Sequence, residues 1–294
     1  MDLNAAIEAG VERDTGDPFR IVDRAPVGGG CISEAFRIRG EDGRAYFVKA
    51  NRRIGLPLFE AEAAGLRALA RTESVRVPEV VGTGSSGATG FIVMEALELG
   101  GRRPDGTAEL GRLLAAMHRA TGPGFGFEAD NFIGETPQLN TPMADDWPAF
   151  YAGKRLEPQF RWAREKGLRI EKTDTLLESI GDFFRDYQPV PSLLHGDLWG
   201  GNIDTDESGH PVLYDPAAYY GDREADIAFT ELFGGPGEAF YRSYREHWPM
   251  DDGYPVRKTL YNLYHIVNHF NHFGGGYGSQ ARSMVRELVA ELKG

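Results

Sequence analysis

The segment Leu193-Leu194-His195-Gly196-Asp197-Leu198-Trp199-Gly200-Gly201-Asn202 restricts the fold of this chain more than any other feature. It places an acid, Asp197, three residues after an apolar run and an amide, Asn202, five residues further on. A second apolar run begins at Val212 and ends in another acid, Asp215. Two short strands joined by a polar turn would bring these three oxygen-bearing side chains to the mouth of one hairpin.

Phosphoryl transfer from a nucleotide uses these groups in this order. One Asp orients the acceptor hydroxyl and takes its proton, an Asn a few residues later holds magnesium, and a second Asp joins the metal to the phosphates. The sequence therefore predicts Asp197 as the catalytic base, with Asn202 and Asp215 as metal ligands. An ordinary surface hairpin is the alternative, and Asp204, Asp206 and Gly209 fit that description as turn formers.

Composition agrees with a compact, soluble enzyme. The chain has 294 residues, of which 41% are hydrophobic, enough to bury a substantial core. A formal charge of −12 argues against a nucleic-acid partner, which needs a basic face, and leaves a cationic substrate open. The single cysteine, Cys31, excludes an internal disulfide. We find no apolar run of membrane-spanning length and no signal peptide, so we expect a cytoplasmic protein with no membrane partner.

Gly28-Gly29-Gly30 joins two strand-like stretches near the N-terminus. Glycines there let backbone amides approach phosphates closely, although tight hairpins also use glycine. No Gly-Lys-Ser/Thr follows, which excludes a Walker loop. A strand rather than a helix follows, which argues against a dinucleotide fold.

Lys49 ends an apolar third strand, which is the kinase position for a lysine that grips nucleotide phosphates. A helix predicted from about Leu58 to Arg71 carries Glu60 and Glu62. We expect Glu62 to pair with Lys49 and hold it in place, and Glu60 to be a solvated helix charge.

The fold predicted from these elements is α+β and bilobal. Five strands with one main helix form a small N-terminal lobe of antiparallel sheet, residues 1–97, and a larger, mainly helical C-terminal lobe follows, residues 98–294. The fifth strand ends near Glu95, before a stretch rich in Gly, Arg and Pro that we interpret as the hinge. Met94 is expected to border an adenine pocket, although a methionine there is also compatible with plain core.

Two features beyond Asp215 bear on the kind of acceptor. The chain passes quickly into a helix near Glu224, without the long activation segment of protein kinases, which favours a small-molecule kinase. Asp226 is expected to be a structural acid near a helix start that bonds loop amides.

The last long helical region, residues 257–273, is predicted to have two faces. The apolar face is expected in the core and contains Leu263, Ile266, Val267, Phe270 and Phe273. The other face lacks Lys, Glu and Arg, which favours a ligand-facing pocket wall over a solvated surface. It contains Tyr261, Tyr264, His265, Asn268, Asn271 and His272, with His269 at its edge.

With these residues assembled, the chain resembles a fructosamine-3-kinase, also called a ketosamine-3-kinase, of the aminoglycoside-phosphotransferase-like branch of the protein kinase fold. The resemblance runs nearly end to end. Its most specific motifs are Gly28-Gly29-Gly30-Cys31-Ile32-Ser33, the 193–202 segment, Asp215-Pro216-Ala217, Tyr219-Tyr220-Gly221, Arg223-Glu224-Ala225-Asp226 and Asn268-His269-Phe270-Asn271-His272-Phe273-Gly274. Asp222 is a small departure, since the family commonly has His there, and we attach no consequence to it.

The resemblance implies ATP and Mg²⁺ as cofactors and a kinase that phosphorylates the 3-hydroxyl of ketosamines. The phosphorylated adduct is unstable, so the implied role is protein deglycation, with the sugar carried by a small molecule or a protein. Glu95 and Leu97 would offer backbone groups to adenine, and Trp199 and His269 would touch the sugar.

Two alternatives stay open at the level of sequence. One is another small-molecule kinase of the same fold, acting on an aminoglycoside, choline or homoserine. The other is a nucleotide-binding module without activity, although Lys49, Asp197, Asn202 and Asp215 are all present. Cys31 adds a regulatory hypothesis, a disulfide-linked dimer formed on oxidation, against the alternative of an inert buried residue.

Overall fold

The computed structural model describes residues 2–28, 33–101 and 104–292. The N-terminal part is a five-stranded antiparallel sheet with strand order β1-β2-β3-β5-β4. Its strands are β1 Ile21–Pro26, β2 Glu34–Gly40, β3 Ala45–Asn51, β4 Val80–Ser86 and β5 Thr89–Glu95. The strand expected from Val77 begins at Val80, because Pro78 has no amide hydrogen to donate to a ladder.

Helices cover both faces of this sheet. The first helix, α1 (Leu3–Thr15), packs on the face that carries Phe36, Val48 and Phe91, and it ends where Gly16 adopts a φ of 81°. The second, α2 (Leu56–Ala70), packs against β4 and β5 on the other face. It is rich in alanine and leucine, which favour helix. The N-terminal lobe thus holds the expected main helix and a second one.

The C-terminal part is mainly helical. Its helices are α3 Pro104–His118, α4 Trp147–Phe150, α5 Glu157–Glu165, α6 Thr173–Glu178, α7 Glu224–Leu232, α8 Glu238–His247, α9 Tyr254–Phe273 and α10 Tyr277–Glu291. A π-helical segment, Tyr151–Leu156, joins α4 to α5. Helix α3 packs on α8, and α9 packs on α5, α7 and α10. In the described ranges, no helix is both long enough and apolar enough to cross a bilayer.

Three two-stranded sheets interrupt the helices and build the site described below. They use β6 Asn131–Ile133, β7 Thr136–Gln138, β8 Ser192–Leu194, β9 Ile203–Thr205, β10 Pro211–Leu213 and β11 Tyr219–Gly221. The pairs are β6 with β7, β8 with β11 and β9 with β10, all antiparallel. The larger hydrophobic core runs without a break from α2 and the inner sheet face into the helices, so the lobe boundary at residues 97 and 98 stays a prediction.

Candidate active site

The chain from β8 to the residues just after β10 brings the three predicted catalytic and metal-binding residues together. Asn202 lies at the end of a 3₁₀ turn, and its Nδ2 donates to the Asp197 carbonyl at 2.8 Å and to Asp197 Oδ2 at 3.1 Å. The same nitrogen lies 3.4 Å from the carbonyl oxygen of Asp215. Since its nitrogen is used in this way, Asn202 has Oδ1 left as the atom that could bind a cation.

Asp226 fixes the loop that carries Asp197. Its two carboxylate oxygens accept the backbone N–H groups of His195 at 2.7 Å and Gly196 at 2.9 Å. This is the expected structural acid near a helix start. Gly196 has a φ of 80°, and a Cβ there would collide with the Ala217 carbonyl, so only glycine suits this position.

The buried ring of His195 connects this loop to Tyr214, the residue that follows β10. Its Nε2 lies 3.0 Å from the Tyr214 carbonyl, and the Asp197 N–H donates to its Nδ1 at 3.3 Å. A carbonyl only accepts, so Nε2 carries the proton and Nδ1 is the acceptor. Burial lowers the pKa of His195, which agrees with this neutral form.

Asp197 is half-buried and faces a second carboxylate. Burial, followed by the charge of Asp215, raises the pKa of Asp197 to about 7, and the hydrogen bond from Asn202 opposes that rise. Such a group changes protonation near neutral pH, which is the property that a general base needs.

Lys49 connects the sheet to this acidic centre. Its Nζ lies 2.6 Å from Glu62 Oε1 on α2 and also forms an ion pair with Asp215. Burial alone would lower the pKa of Lys49, but the Asp215 and Glu62 carboxylates outweigh burial and raise it, so the ammonium stays charged. Burial raises the pKa of Glu62, and the Lys49 charge opposes the rise. The expected Lys49–Glu62 pair is therefore present, with Asp215 as its third member.

The donor set at this centre fits a magnesium ion. Asn202 Oδ1 and the Asp215 carboxylate are oxygen ligands, which Mg²⁺ prefers. No cluster of three or more His, Cys, Asp or Glu ligands occurs among residues 2–28, 33–101 and 104–292. Magnesium is usually bound by one or two carboxylates together with water and substrate phosphates, so a dense protein cage is not needed.

The residues predicted to bind the nucleotide base and phosphates are only partly described. Gly28 precedes the gap, while Gly29, Gly30 and Cys31 lie outside the described residues. The phosphate-loop prediction and the Cys31-linked dimer therefore find no support in the described part of the chain and remain predictions.

Strand β5, which ends at the predicted hinge, lies wholly within the described residues. Met94 is buried in β5, and the backbone N–H of Glu95 donates to the Glu79 carbonyl at 2.8 Å. Glu95 consequently has no free N–H for adenine and could offer only its carbonyl. Its side chain accepts from Arg76 at 2.6 Å. Leu97 is half-buried just beyond the strand.

The two residues expected at the sugar have different surroundings. Trp199 is 41% exposed beside the Asp197 loop, and its indole covers Gly201 so closely that any Cβ there would collide with it. His269 is half-buried on α9, and its Nδ1 lies 2.7 Å from the His265 carbonyl. Its ring lies 4.8 Å from that of Phe233.

The prediction that α9 has one apolar face in the core and one polar face lining a pocket is wrong in two respects. Phe273, expected in the core, is 62% exposed. The face expected to line a pocket is mostly buried, because α5, α7 and α10 surround the helix. Several of its polar groups bond to protein partners, whereas His265 Nδ1 and Asn271 Oδ1 have no partner among the described residues. Tyr261 Oη donates to Asp222 Oδ2 at 2.5 Å, and Asn271 Nδ2 donates to Gln159 Oε1 at 2.7 Å.

Asp222, to which we attached no consequence from the sequence, is buried and accepts three hydrogen bonds. Besides Tyr261, it accepts from Tyr187 Oη at 2.9 Å and from the Glu224 N–H at 3.0 Å. Burial raises the pKa of Asp222, and these hydrogen bonds oppose the rise. No local signal reveals this role, because Tyr187 and Tyr261 are both more than 30 residues away in sequence.

The sequence of this chain is similar to those of one family of known proteins. The model of the fructosamine kinase family matches residues 3–291. A probable ketoamine kinase of Synechocystis is 45% identical over 281 residues, covering 95% of this chain and 94% of that protein. The protein-ribulosamine 3-kinase of Arabidopsis thaliana, a chloroplast protein by name, is 44% identical and covers 95% of this chain and 86% of its own.

Solved structures agree on the fold. A Haemophilus somnus protein described as a fructosamine-3-kinase superposes with a TM-score of 0.90 at 30% identity, covering 97% of each chain. An aminoglycoside phosphotransferase in complex with ADP and hygromycin B superposes with a TM-score of 0.61 at 17% identity, covering 98% of this chain and 99% of its own, which is a likeness of fold alone. The expected bilobal, protein-kinase-like α+β fold is thereby confirmed.

A full-length family match, close relatives that span nearly the whole chain and a shared fold together place this chain in the fructosamine kinase family.

Proposed function

We propose that this chain transfers the γ-phosphoryl group of ATP to the 3-hydroxyl of a ketosamine, a fructosamine- or ribulosamine-type adduct of a sugar on an amine. The observation that carries the proposal is the meeting of Asp197, Asn202, Asp215 and Lys49 in one place. The names of the relatives support the acceptor class, and the breakdown of the phosphorylated adduct makes deglycation the resulting role.

Each group at the centre has one task. Asp197 orients the acceptor hydroxyl and accepts its proton, and a pKa near 7 lets it do so at neutral pH. Lys49, held by Glu62, neutralises phosphate charge. Asn202 and Asp215 hold magnesium, which when bound supplies further charge neutralisation on the phosphates. The protein itself forms no covalent intermediate, so the transfer is direct.

The remaining contacts divide between nucleotide and sugar. The Glu95 carbonyl and backbone groups of Leu97 read the adenine beside Met94, and the task predicted for Gly28, Gly29 and Gly30 from the sequence is to bring backbone amides to the phosphates. Trp199 offers an exposed aromatic face to the C–H side of the sugar, and His269 offers an imidazole. The amine end of the ketosamine then points to solvent, which allows a small molecule or a protein as the carrier. A cytoplasmic location is part of the same proposal, supported by the single cysteine.

A kinase for another small molecule is the second candidate, favoured only by the fold it shares with aminoglycoside phosphotransferases. One argument against it is that His269, the residue of α9 proposed for the sugar, has no acidic neighbour along the helix from Tyr261 to Phe273. A polycationic aminoglycoside would be expected to require carboxylates around its ammonium groups.

An ATP-consumption screen tests the proposal. Ketosamines, kanamycin-like aminoglycosides, choline and homoserine would be compared, with Asp197→Asn protein as the control for contaminating activity. We expect ketosamines to be turned over fastest. Faster turnover of an aminoglycoside would overturn the acceptor assignment, and no turnover with any acceptor would favour the non-catalytic nucleotide-binding module.

A further inference from the structure

The segment that follows Asp215 needs support from its surroundings. Asp215 has a φ of 60°, a left-handed conformation that is uncommon outside glycine and persists only where neighbouring contacts fix it. Ala217 donates its N–H to the His195 carbonyl at 2.9 Å, which ties this segment to the loop of Asp197. The position of the Asp215 carboxylate therefore depends on how the Ala217 and Ala218 peptides are held.

Two buried amides hold those peptides from the other side. Gln138 Nε2 donates to the Ala217 carbonyl at 3.0 Å, and Asn131 Nδ2 donates to the Ala218 carbonyl at 2.8 Å. Both residues belong to the β6–β7 hairpin, where they are directly paired across the strands. Gln138 Nε2 also donates to Asn131 Oδ1 at 2.8 Å, so the two amides fix each other.

The amides are oriented by further donors deeper in the protein. Tyr264 Oη donates to Gln138 Oε1 at 2.9 Å, which leaves the Gln138 nitrogen facing the Ala217 carbonyl. Asn140 Nδ2 donates to Asn131 Oδ1 at 2.9 Å, and Arg155 Nη2 donates to Asn140 Oδ1 at 2.7 Å. Two chains of hydrogen bonds thus run in one direction, one from Arg155 and one from Tyr264, and end on the carbonyls behind Asp215. Bonds aligned in this way polarise and strengthen one another.

Helix α2 closes the segment on the remaining side. A Cβ added at Gly65 would lie 3.3 Å from the Ala218 Cβ and 3.4 Å from the Pro216 Cγ, so the helix backbone packs directly on it. The same helix carries Glu62, which holds Lys49. The β6–β7 amides therefore face a segment confined between the catalytic loop and α2.

We propose that Gln138 and Asn131 are positioning residues for Asp215, whose side-chain amides fix the Ala217 and Ala218 peptides and thereby hold its carboxylate toward magnesium and Lys49. The inference rests on the proposed function, because it gives Asp215 the task of a metal ligand. Magnesium demands near-ideal octahedral geometry, so a small displacement of one ligand is felt in its binding.

The test compares two buried glutamines. Gln138→Met removes the amide and keeps the side-chain length, while Gln159→Met does the same at a glutamine of equal burial, 1% exposed. The Gln159 amide bonds to Asn268 and Asn271 on α9, whereas the Gln138 nitrogen bonds to the Ala217 carbonyl. Calorimetry measures the binding of ADP with Mg²⁺ and with EDTA. For Gln138→Met we expect the Kd for Mg·ADP to rise about 10-fold, the size typical of lost supporting contacts around a metal site. The Kd for ADP in EDTA should change less than twofold, and Gln159→Met should leave both values near wild type.

Tyr264→Phe keeps the inference testable if Gln138→Met does not fold. It removes one hydroxyl, keeps the ring, and should weaken Mg·ADP binding in the same direction by a smaller factor. Steady-state kinetics adds a second readout, in which the KM for ATP should rise while the KM for the ketosamine stays within about twofold.

Unchanged Mg·ADP affinity in the folded variants, or an equal loss in Gln159→Met, would overturn the positioning role. That result would leave the proposed function intact. Wild-type protein that binds Mg·ADP but phosphorylates no ketosamine would instead overturn the acceptor assignment and leave the positioning role standing.

Discussion

The phosphate-transfer centre and the middle of helix α9 are both rich in polar side chains, yet they use them in opposite ways. On α9, Tyr261 Oη and Asn271 Nδ2 donate hydrogen bonds to protein partners in the core. At the centre, Asp215 is close enough to Asp197 for its charge to raise the pKa of Asp197. Catalysis requires polar groups that keep interaction capacity for substrate, whereas a polar stripe without charges can simply be a hydrogen-bonded core.

Removing a metal ligand should give the largest effect. Asp215→Ala takes away the ion pair with Lys49 and one proposed oxygen ligand of magnesium, so we expect turnover to fall by at least about 1,000-fold and Mg·ADP binding to weaken markedly. Asp204→Ala, a change of the same kind in strand β9 of the same hairpin rather than in the turn expected from the sequence, should stay within about twofold of wild type. Near-normal Mg·ADP binding by Asp215→Ala would contradict the assignment of Asp215 as a metal ligand.

Substitutions at the two residues proposed to touch the sugar should affect the kinetics of the ketosamine and leave those of ATP nearly unchanged. Trp199→Ala and His269→Ala should lower kcat/KM for the ketosamine about 10-fold or more, equal to at least about 1.4 kcal/mol, with little change in ATP affinity. Gly201→Ala should act in the same direction, because its methyl group would displace the Trp199 indole. Steady-state kinetics with each substrate varied in turn measures both effects. An equal loss of kcat/KM for ATP would contradict the assignment of Trp199 and His269 to the sugar.

Tyr261, in the buried middle of α9, is a position where a substitution should affect stability and not chemistry. Tyr261→Phe deletes the donor to Asp222 Oδ2, so we expect a loss of about 1–3 kcal/mol in the free energy of unfolding, measured by denaturant titration. The kcat/KM of the folded protein should remain within about twofold of wild type. A large loss of kcat/KM at unchanged stability would show that this face of α9 acts in the active site, which would contradict its role as buried core.

The smallest effect concerns pH. Burial lowers the pKa of His265 well below its usual value, and its ring stacks 3.5 Å from that of Phe229. Below about pH 6.5 the unfolded chain takes up a proton here that the folded protein does not, so stability is lost as pH falls, by up to about 1.4 kcal/mol per pH unit. His265→Phe removes this contribution and keeps the aromatic stack.

Thermal unfolding between pH 7.5 and 5.5 measures the difference. The wild type should lose more stability than His265→Phe across this range, and effects of buried carboxyl groups cancel in the comparison because both proteins share them. Identical losses in the two proteins would contradict a neutral, buried His265.

The sequence was most informative where partners are close along the chain or occupy fixed places on regular elements. Asp197, Asn202 and Asp215 lie within 19 residues, and Lys49 and Glu62 meet because Lys49 lies near the end of β3 and Glu62 lies on α2, the helix that follows it. Their order alone indicated the chemistry.

The sequence was least informative where a polar residue bonds to a distant partner. Gln138 and Tyr264 are 126 residues apart, and Gln138 stands in a stretch rich in Gly, Asn and Pro that resembles an ordinary loop. For α9, residue types correctly argued against a solvated face. They could not distinguish a ligand pocket from a buried network, because both favour uncharged polar side chains.

The most direct measurement is turnover and Mg·ADP binding of Asp197→Ala in the same preparation. If Asp197 acts on the acceptor hydroxyl, ketosamine phosphorylation should fall by several orders of magnitude, while the Kd for Mg·ADP stays within a few-fold of wild type. Near-normal turnover by Asp197→Ala would contradict the assignment of the base and, with it, the proposed active site.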